Sequence, residues 1–357
     1  MTTTVSVGAP PSLIARGLRV AGIAIIAVVV YAVVLWQLLQ VFDASKTSEH
    51  ALAEALQQTV NALSIGAIYA LIALGYTMVY GIIELINFAH GDVFMVGAFL
   101  SVVLTGGIFG QHGGVTNIPF LILLLVVALL FVMPLTGLLN ITIERFFYRP
   151  FRHSSRLAPL ITAVGVSFIL QNIALVVAGS GDRSAPQVFP LNWQIPFGGA
   201  SVSVLSIFIF GLAVFLMMAL QFFVTRTRLG RAMRATAQDQ QAAQLMGVDL
   251  NQTIALTFLL GGMLAGAAGV VWGLRFGYVR QDLGFNAGLK AFTSAVLGGI
   301  GNISGAALGG FIIGFIENGA SALGYSRWSE FIVFAILTFV LIFRPTGLLG
   351  QQLGDRA

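Results

Sequence analysis

Side chains able to do chemistry are sparse in this chain. Of 357 residues only 9% are charged, and cysteine is absent. A thiol nucleophile, a disulfide, a zinc–thiolate site and an iron–sulfur cluster are therefore excluded. Glu84, His90 and Asp92 stand close together, with Asn87 between them, at the border of an apolar stretch. Ionisable groups at such a border are costly and commonly functional, so Glu84, Asn87, His90 and Asp92 are candidates to line or gate a path for solutes. The plainer reading has Asp92 capping the helix that starts there, with Asn87 and His90 satisfying backbone groups of the turn. One histidine and two carboxylates without helical spacing do not make a metal site. Glu317 stands among glycines in the apolar run 303–323. It either faces a path or a partner chain, or makes a structural hydrogen bond to a neighbouring helix. Arg275, Arg280 and Lys290 cluster with Asp282. They either attract a carboxylate or a docking protein, or simply snorkel to an interface. The four histidines, at 50, 90, 112 and 153, converge with no nucleophile or base, so no catalytic residue is assigned.

The elements that must position these groups are apolar. Hydrophobic residues make up 57% of the chain, whereas a soluble domain is about 25% charged. An ordinary soluble enzyme, a nucleic-acid binder and a disordered chain are excluded. Ten apolar segments run at about 18–39, 57–80, 92–110, 118–141, 159–178, 204–224, 251–274, 285–300, 303–323 and 327–343. A spanning helix needs roughly 20 such residues. The expected fold is an all-α, polytopic membrane protein with about 9–10 hydrophobic segments, of which 159–178 and 285–300 are either full spans or re-entrant. The first segment reads as an uncleaved span, too long for a signal peptide. The net charge is only +5 and the basic residues are scattered between apolar stretches. That pattern signals topology, not a phosphate-binding patch. Threaded from a cytoplasmic N-terminus, twelve arginines fall inside. Lys46, Lys290 and four arginines fall outside. The expectation is a multi-pass protein of the cell inner membrane with both termini cytoplasmic. The stretch 179–203 reads as an outer loop.

The polar stretch 225–250 carries Arg226, Arg228, Arg231 and Arg234 on the inner side. Gly230 opens it, alanine-rich sequence continues it, and Gly247 closes it in the manner of a C-cap. Asp249 followed by Gln252 resembles a capping box for the next span. The reading is a short helix at about 229–247, suited to docking a cytoplasmic partner. Gly301, Gly305 and Gly309 repeat at four-residue spacing. Such spacing allows close helix packing in a membrane.

Within this stretch, Gln241-Ala242-Ala243-Gln244-Leu245-Met246-Gly247 resembles the EAA loop of ATP-binding-cassette importer permeases, with Gln241 where a Glu is usual. Further runs agree: Tyr69 to Gly81, Ile86 to Asp92, Tyr148-Arg149-Pro150, Ala295 to Gly301, and Arg344-Pro345-Thr346-Gly347. In this order they resemble branched-chain amino acid permeases of the LivH type over about 56–350. The resemblance implies an ABC importer permease domain at 56–350. An N-terminal extension with an extra span would occupy 1–55, and a cytoplasmic tail 351–357. It implies that Gly230, Arg231, Arg234, Asp239, Gln241, Ala242, Ala243, Leu245 and Gly247 form a coupling helix. It also implies a second permease subunit, two cytoplasmic ATPase subunits and an extracytoplasmic binding protein. The expected cargo is a branched-chain or related hydrophobic amino acid; relatives carrying urea, short amides or other amino acids are the alternative. Lys46 and Lys290 follow Ser45 and Leu289, so no P-loop lysine motif exists. ATP and magnesium would bind the partner ATPases, and no cofactor is expected in this chain. A stand-alone secondary transporter is the competing class. It would need coupling-ion sites near the midplane, for which Glu84, Asp92 and Glu317 are few.

Overall fold

The computed structural model describes residues 31–350, apart from 38, 40–47, 111–112, 153, 156, 191–192 and 198. Eleven α-helices follow one another from residue 48. They are α1 (Ser48–Ile83), α2 (His90–Val102), α3 (Ile118–Ile143), α4 (Leu157–Ala178), α5 (Val204–Arg226) and α6 (Arg228–Gln238). Then come α7 (Gln240–Leu245), α8 (Leu250–Phe276), α9 (Leu283–Gly298), α10 (Ile303–Ala322) and α11 (Ser329–Phe343). A π-helical turn, Val103–Ile108, extends α2. Among the described residues, eight helical stretches are long and apolar enough to cross a membrane. The protein is thus all-α and polytopic.

The stretch expected at 159–178 is a full 22-residue helix. The stretch expected at 285–300 is α9, only 16 residues long. At 1.5 Å per residue it rises about 24 Å, short of a bilayer core of about 30 Å. The first apolar segment lies mostly outside the described residues. Its helical part at 31–37 places Leu35 against Ala51 and Ala55 of α1, and the Tyr31 hydroxyl donates to the Phe315 carbonyl at 3.1 Å.

Which helices sit centrally follows from side-chain size. Lipid tails are as apolar as leucine, so close association needs small residues that let backbones approach. α1 and α10 supply them. A Cβ on Gly66 would lie 2.8 Å from Phe311 Cα, and one on Gly310 would run into the Ala70 backbone. α8 supplies Gly262 and Gly266 against Thr136, Gly137 and Asn140 of α3. The apolar window of α1 is 89% buried and that of α8 72%, against 17% for α5 and 11% for α11. The first pair is core; the second pair faces outward.

Two corrections to the sequence reading concern glycine and loop structure. Gly305 and Gly309 do lie in α10, where a Cβ would strike the Gly298 and Ser294 carbonyls of α9. Gly301 does not: it precedes the helix with φ +91°, in a turn where Asn302 caps α10 by accepting from Gly305 N at 3.1 Å. The stretch 179–203 is also more than a loop. Strand β1 (Arg183–Ser184) pairs with β4 (Tyr278–Val279), and β2 (Gln194–Phe197) forms an antiparallel hairpin with β3 (Ala200–Ser203). The bundle therefore has a hairpin end and, opposite it, an arginine-rich end.

Candidate functional site

Three places gather the polar side chains. The first is an elbow at the arginine-rich end. Expected as one helix, the segment is two, because Asp239 is extended (φ −155°) and ends α6. Helix α6 starts at Arg228 rather than at Gly230. The cap is Thr227, whose hydroxyl accepts from Gly230 N at 3.0 Å and donates to Phe223 O at 2.7 Å. Gly230 lies against the Phe223 and Val224 carbonyls, leaving no room for a Cβ. The Arg234 guanidinium donates to the Val224 carbonyl. Asp239 Oδ1 accepts from Gln241 N at 2.8 Å and Ala242 N at 2.9 Å, capping α7. Gly247, at φ +85°, turns the chain out of α7, and Asp249 caps α8 through Asn251 N and Gln252 N.

These local bonds fix the geometry of the elbow. Met233, Thr236 and Ala243 point inward and are buried. Gln240 Nε2 donates to Ile82 O at the end of α1, at 3.3 Å. Arg231, Gln241 and Ala242 are exposed. Leu245 and Met246 are 88% and 85% exposed. Beside the elbow, buried Glu144 pairs with Arg152. The Arg149 Nε and Arg152 Nη1 groups donate to Asn251 Oδ1 at 3.2 and 2.9 Å. Burial lowers the pKa of Arg152, and neighbouring Glu144 pushes it back up.

The second place is the break between α1 and α2. Glu84 ends α1 in the left-handed region, φ 54°, with its N–H on the Tyr80 carbonyl at 2.8 Å. The chain then returns toward the bundle centre, and α2 begins at His90 beside Gly75. Here the capping expectation for Asp92 is overturned. The cap position is Ala89, and no side chain caps it. Asp92 instead accepts from Ser167 and from Gln171 Nε2 of α4, the latter at 3.1 Å. Asn87 does not satisfy the turn either. Its Nδ2 donates to Asn140 Oδ1 at 3.3 Å and its Oδ1 accepts from Tyr148 OH at 3.1 Å. Asn140 in turn donates to the Phe258 carbonyl of α8 at 2.7 Å. The His90 ring is fully buried edge-on to Tyr76, and neither nitrogen has a hydrogen-bond partner among the described residues. Thus Asp92 ties α2 to α4, and Asn87, in the break before α2, reaches Asn140 of α3 and Tyr148.

The third place is a cavity of about 230 Å³ toward the hairpin end. Glu317 is on its wall and meets Lys290 Nζ at 2.8 Å through Oε1 and Tyr69 OH at 2.7 Å through Oε2. Arg280 and Asp282 form a second pair on the wall, at 2.9 Å. Arg275 is not on it: its guanidinium reaches Asn61 at 2.9 Å. Sequence reasoning found the charges but missed Tyr69, Trp272, Phe276 and Tyr278, which also line the cavity. Trp272, Phe276 and Tyr278 flank Arg275 as an aromatic cluster, whereas Tyr69 stood only within the run to Gly81. Among the described residues no group of three His, Asp or Glu side chains is placed to hold a metal ion.

A bundle of helices long and apolar enough to cross a membrane, with a capped, exposed elbow at one end, is a polytopic membrane protein. The family model described as branched-chain amino acid transport system / permease component matches residues 58–341, and the chain belongs to this family. It is 43% identical over 303 residues to the high-affinity branched-chain amino acid transport system permease protein BraD of Pseudomonas aeruginosa. That match covers 83% of this chain and 96% of the relative. It is 40% identical over 299 residues to LivH of Escherichia coli, with the same coverage of each chain. A D-allose permease, AlsC of Escherichia coli, is 31% identical over 183 residues, which is 50% of this chain and 55% of the relative. No solved structure matches the chain.

Proposed function

We propose that this permease imports branched-chain and related hydrophobic amino acids, driven by two cytoplasmic ATPase subunits that dock on the α6–α7 elbow. The carrying observation is the tip of that elbow. Leu245 and Met246 are large, apolar and almost fully exposed, at the end of a helix capped on both sides. Apolar side chains held out by a capped segment are what a groove on a partner recognises. The arginine-rich end is the cytoplasmic side by the positive-inside rule, which puts both termini there as well. ATP and magnesium belong to the ATPase subunits.

Force applied at α7 reaches the spans by two routes. One is Gln240 to the end of α1. The other is the continuous connection through Asp249 into α8. Both α1 and α8 are core helices, so a tilt of the elbow moves the helices around which the rest pack. The path for the solute runs between this chain and a second permease subunit, a paralogue or another copy. An extracytoplasmic binding protein delivers the cargo to the hairpin end. The relatives named for branched-chain amino acids support this substrate class over the sugar-transporting branch, which matches only half of the chain.

The test is ATP hydrolysis by the purified complex in lipid nanodiscs, with binding protein supplied empty or leucine-loaded. Leucine-loaded protein should stimulate hydrolysis. Arg231→Glu, or deletion of 239–246, should abolish the stimulation without preventing membrane insertion. Normal transport by either variant sinks the docking role of the elbow. A stimulated ATPase indifferent to leucine keeps the ATP-driven class and replaces the substrate.

A further inference from the structure

We infer that the cavity bounded by Tyr69, Trp272, Asp282, Lys290 and Glu317 is a transient binding site for the zwitterionic head and aliphatic side chain of a neutral α-amino acid. The inference rests on the proposed amino-acid cargo and goes further, because it assigns the recognition to this chain and to named groups.

The first argument is charge. On the wall of one cavity Lys290 pairs with Glu317 and Arg280 pairs with Asp282. The formal charge of the wall sums to zero, held as two contact ion pairs. The side chains of Lys290 and Glu317 are only 13% and 19% exposed, so the dielectric around them is well below that of water. Adding a net charge to such a place is expensive. A zwitterion adds none. Its carboxylate exchanges for Glu317 as the partner of Lys290, and its ammonium exchanges for Lys290 as the partner of Glu317. Each ion therefore keeps an opposite neighbour throughout. Glu330 approaches Lys290 at 3.7 Å from the solvent side but does not line the cavity.

The second argument is spare hydrogen-bonding capacity. Lys290 has three donors, of which one reaches Glu317. A carboxylate brought into the cavity can accept from the Lys290 donors that remain.

The third argument is the remaining wall. Ile65, Trp272, Phe276 and Leu283 give it an apolar side. An aliphatic side chain placed there leaves water for an apolar surface. The volume, about 230 Å³, is below the roughly 300–1,000 Å³ of sites for drug-sized ligands and suits a single small solute. Neutral apolar amino acids satisfy all three conditions together. Those with charged side chains fail the first.

The absence of native cysteine makes the test direct. Asn286, exposed and on the cavity wall, is changed to cysteine in the assembled transporter. Its rate of modification by a membrane-impermeant thiol reagent is followed on this chain. Leucine at ten times its dissociation constant should slow modification about tenfold, by simple occupancy. Leucinamide, which lacks the carboxylate, and 4-methylpentanoate, which lacks the ammonium, should give no protection at the same concentration. In the Asn286→Cys, Lys290→Met, Glu317→Gln background, leucine should no longer protect. Protection by the analogues equal to that by leucine overturns the inference, as does protection that survives loss of both charges. If the triple variant fails to assemble, the analogue comparison on Asn286→Cys decides alone. Leucine uptake by the same complex separates the two levels. Uptake without protection removes the cavity site and leaves the proposed function standing, whereas a complex that hydrolyses ATP but takes up no leucine refutes the proposed cargo itself.

Discussion

Asn140 shows how much one polar side chain can hold. It lies in α3, fully buried, and joins Asn87 of the break to the Phe258 carbonyl of α8. Each of those groups is itself away from water, so removing the link leaves orphans. Asn140→Leu is expected to cost about 1–3 kcal/mol, the desolvation of a buried unpaired group. The measurement is thermal unfolding of the detergent-solubilised complex, and an unchanged midpoint would contradict the assignment. The residues around it were unequally legible. Asn87, Asp92 and Glu317 were recognisable because polar groups are conspicuous against an apolar chain. Their partners Asn140, Ser167, Gln171 and Tyr69 lie 53, 75, 79 and 248 positions away. No local pattern joins such residues. The capping role expected of Asp92 failed for that reason: Ser167 and Gln171 on α4 offer its carboxylate better donors than the helix start does.

At the scale of the element, the elbow is the segment most completely written in its own residues. Thr227, Asp239 and Asp249 each cap the helix that follows, and such bonds depend only on neighbours two or three positions on. Its division at Asp239 was missed because the alanine-rich run favours continued helix on propensity alone. Asp239→Ala should remove the cap on α7, worth about 0.5–2 kcal/mol locally. Coupled ATP hydrolysis should fall while membrane insertion stays normal; retention of full coupling would show that α7 does not need its cap to transmit force. α9 makes the opposite point. Its 16 residues read as a marginal span, yet its position is set by others: Gly298 against Gly305, and the Leu297 and Gly298 carbonyls accepting from Leu348 and Leu349 N at 2.9 Å.

For the whole molecule, the two ends differ in charge and in structure, and the positive-inside rule orients them. The chain contains no native cysteine, so single cysteines report side directly. Phe197→Cys, on the hairpin and 63% exposed, should react with an impermeant thiol reagent in intact spheroplasts. Met246→Cys, on the elbow, should react only after the membrane is opened, in cells that lack the ATPase subunits. The reverse pattern would invert the topology and move the ATPase-docking end to the wrong side.

Composition and the run lengths of apolar residues determined by themselves that this chain is a polytopic helical membrane protein. The Gln-Ala-Ala…Gly run, together with the further runs between Tyr69 and Gly347, pointed to the family. These are properties of contiguous residues, set by the thickness of a bilayer and by hydrogen bonds within one turn. Which spans are core and which face outward was decided by the tertiary structure. In a membrane both surroundings are apolar, so α1 and α5 carry no polar face to tell them apart. The Lys290–Glu317–Tyr69 cluster was decided there too. It draws on α1, α9 and α10, and a salt bridge in a low-dielectric site exists only once distant helices have packed around it.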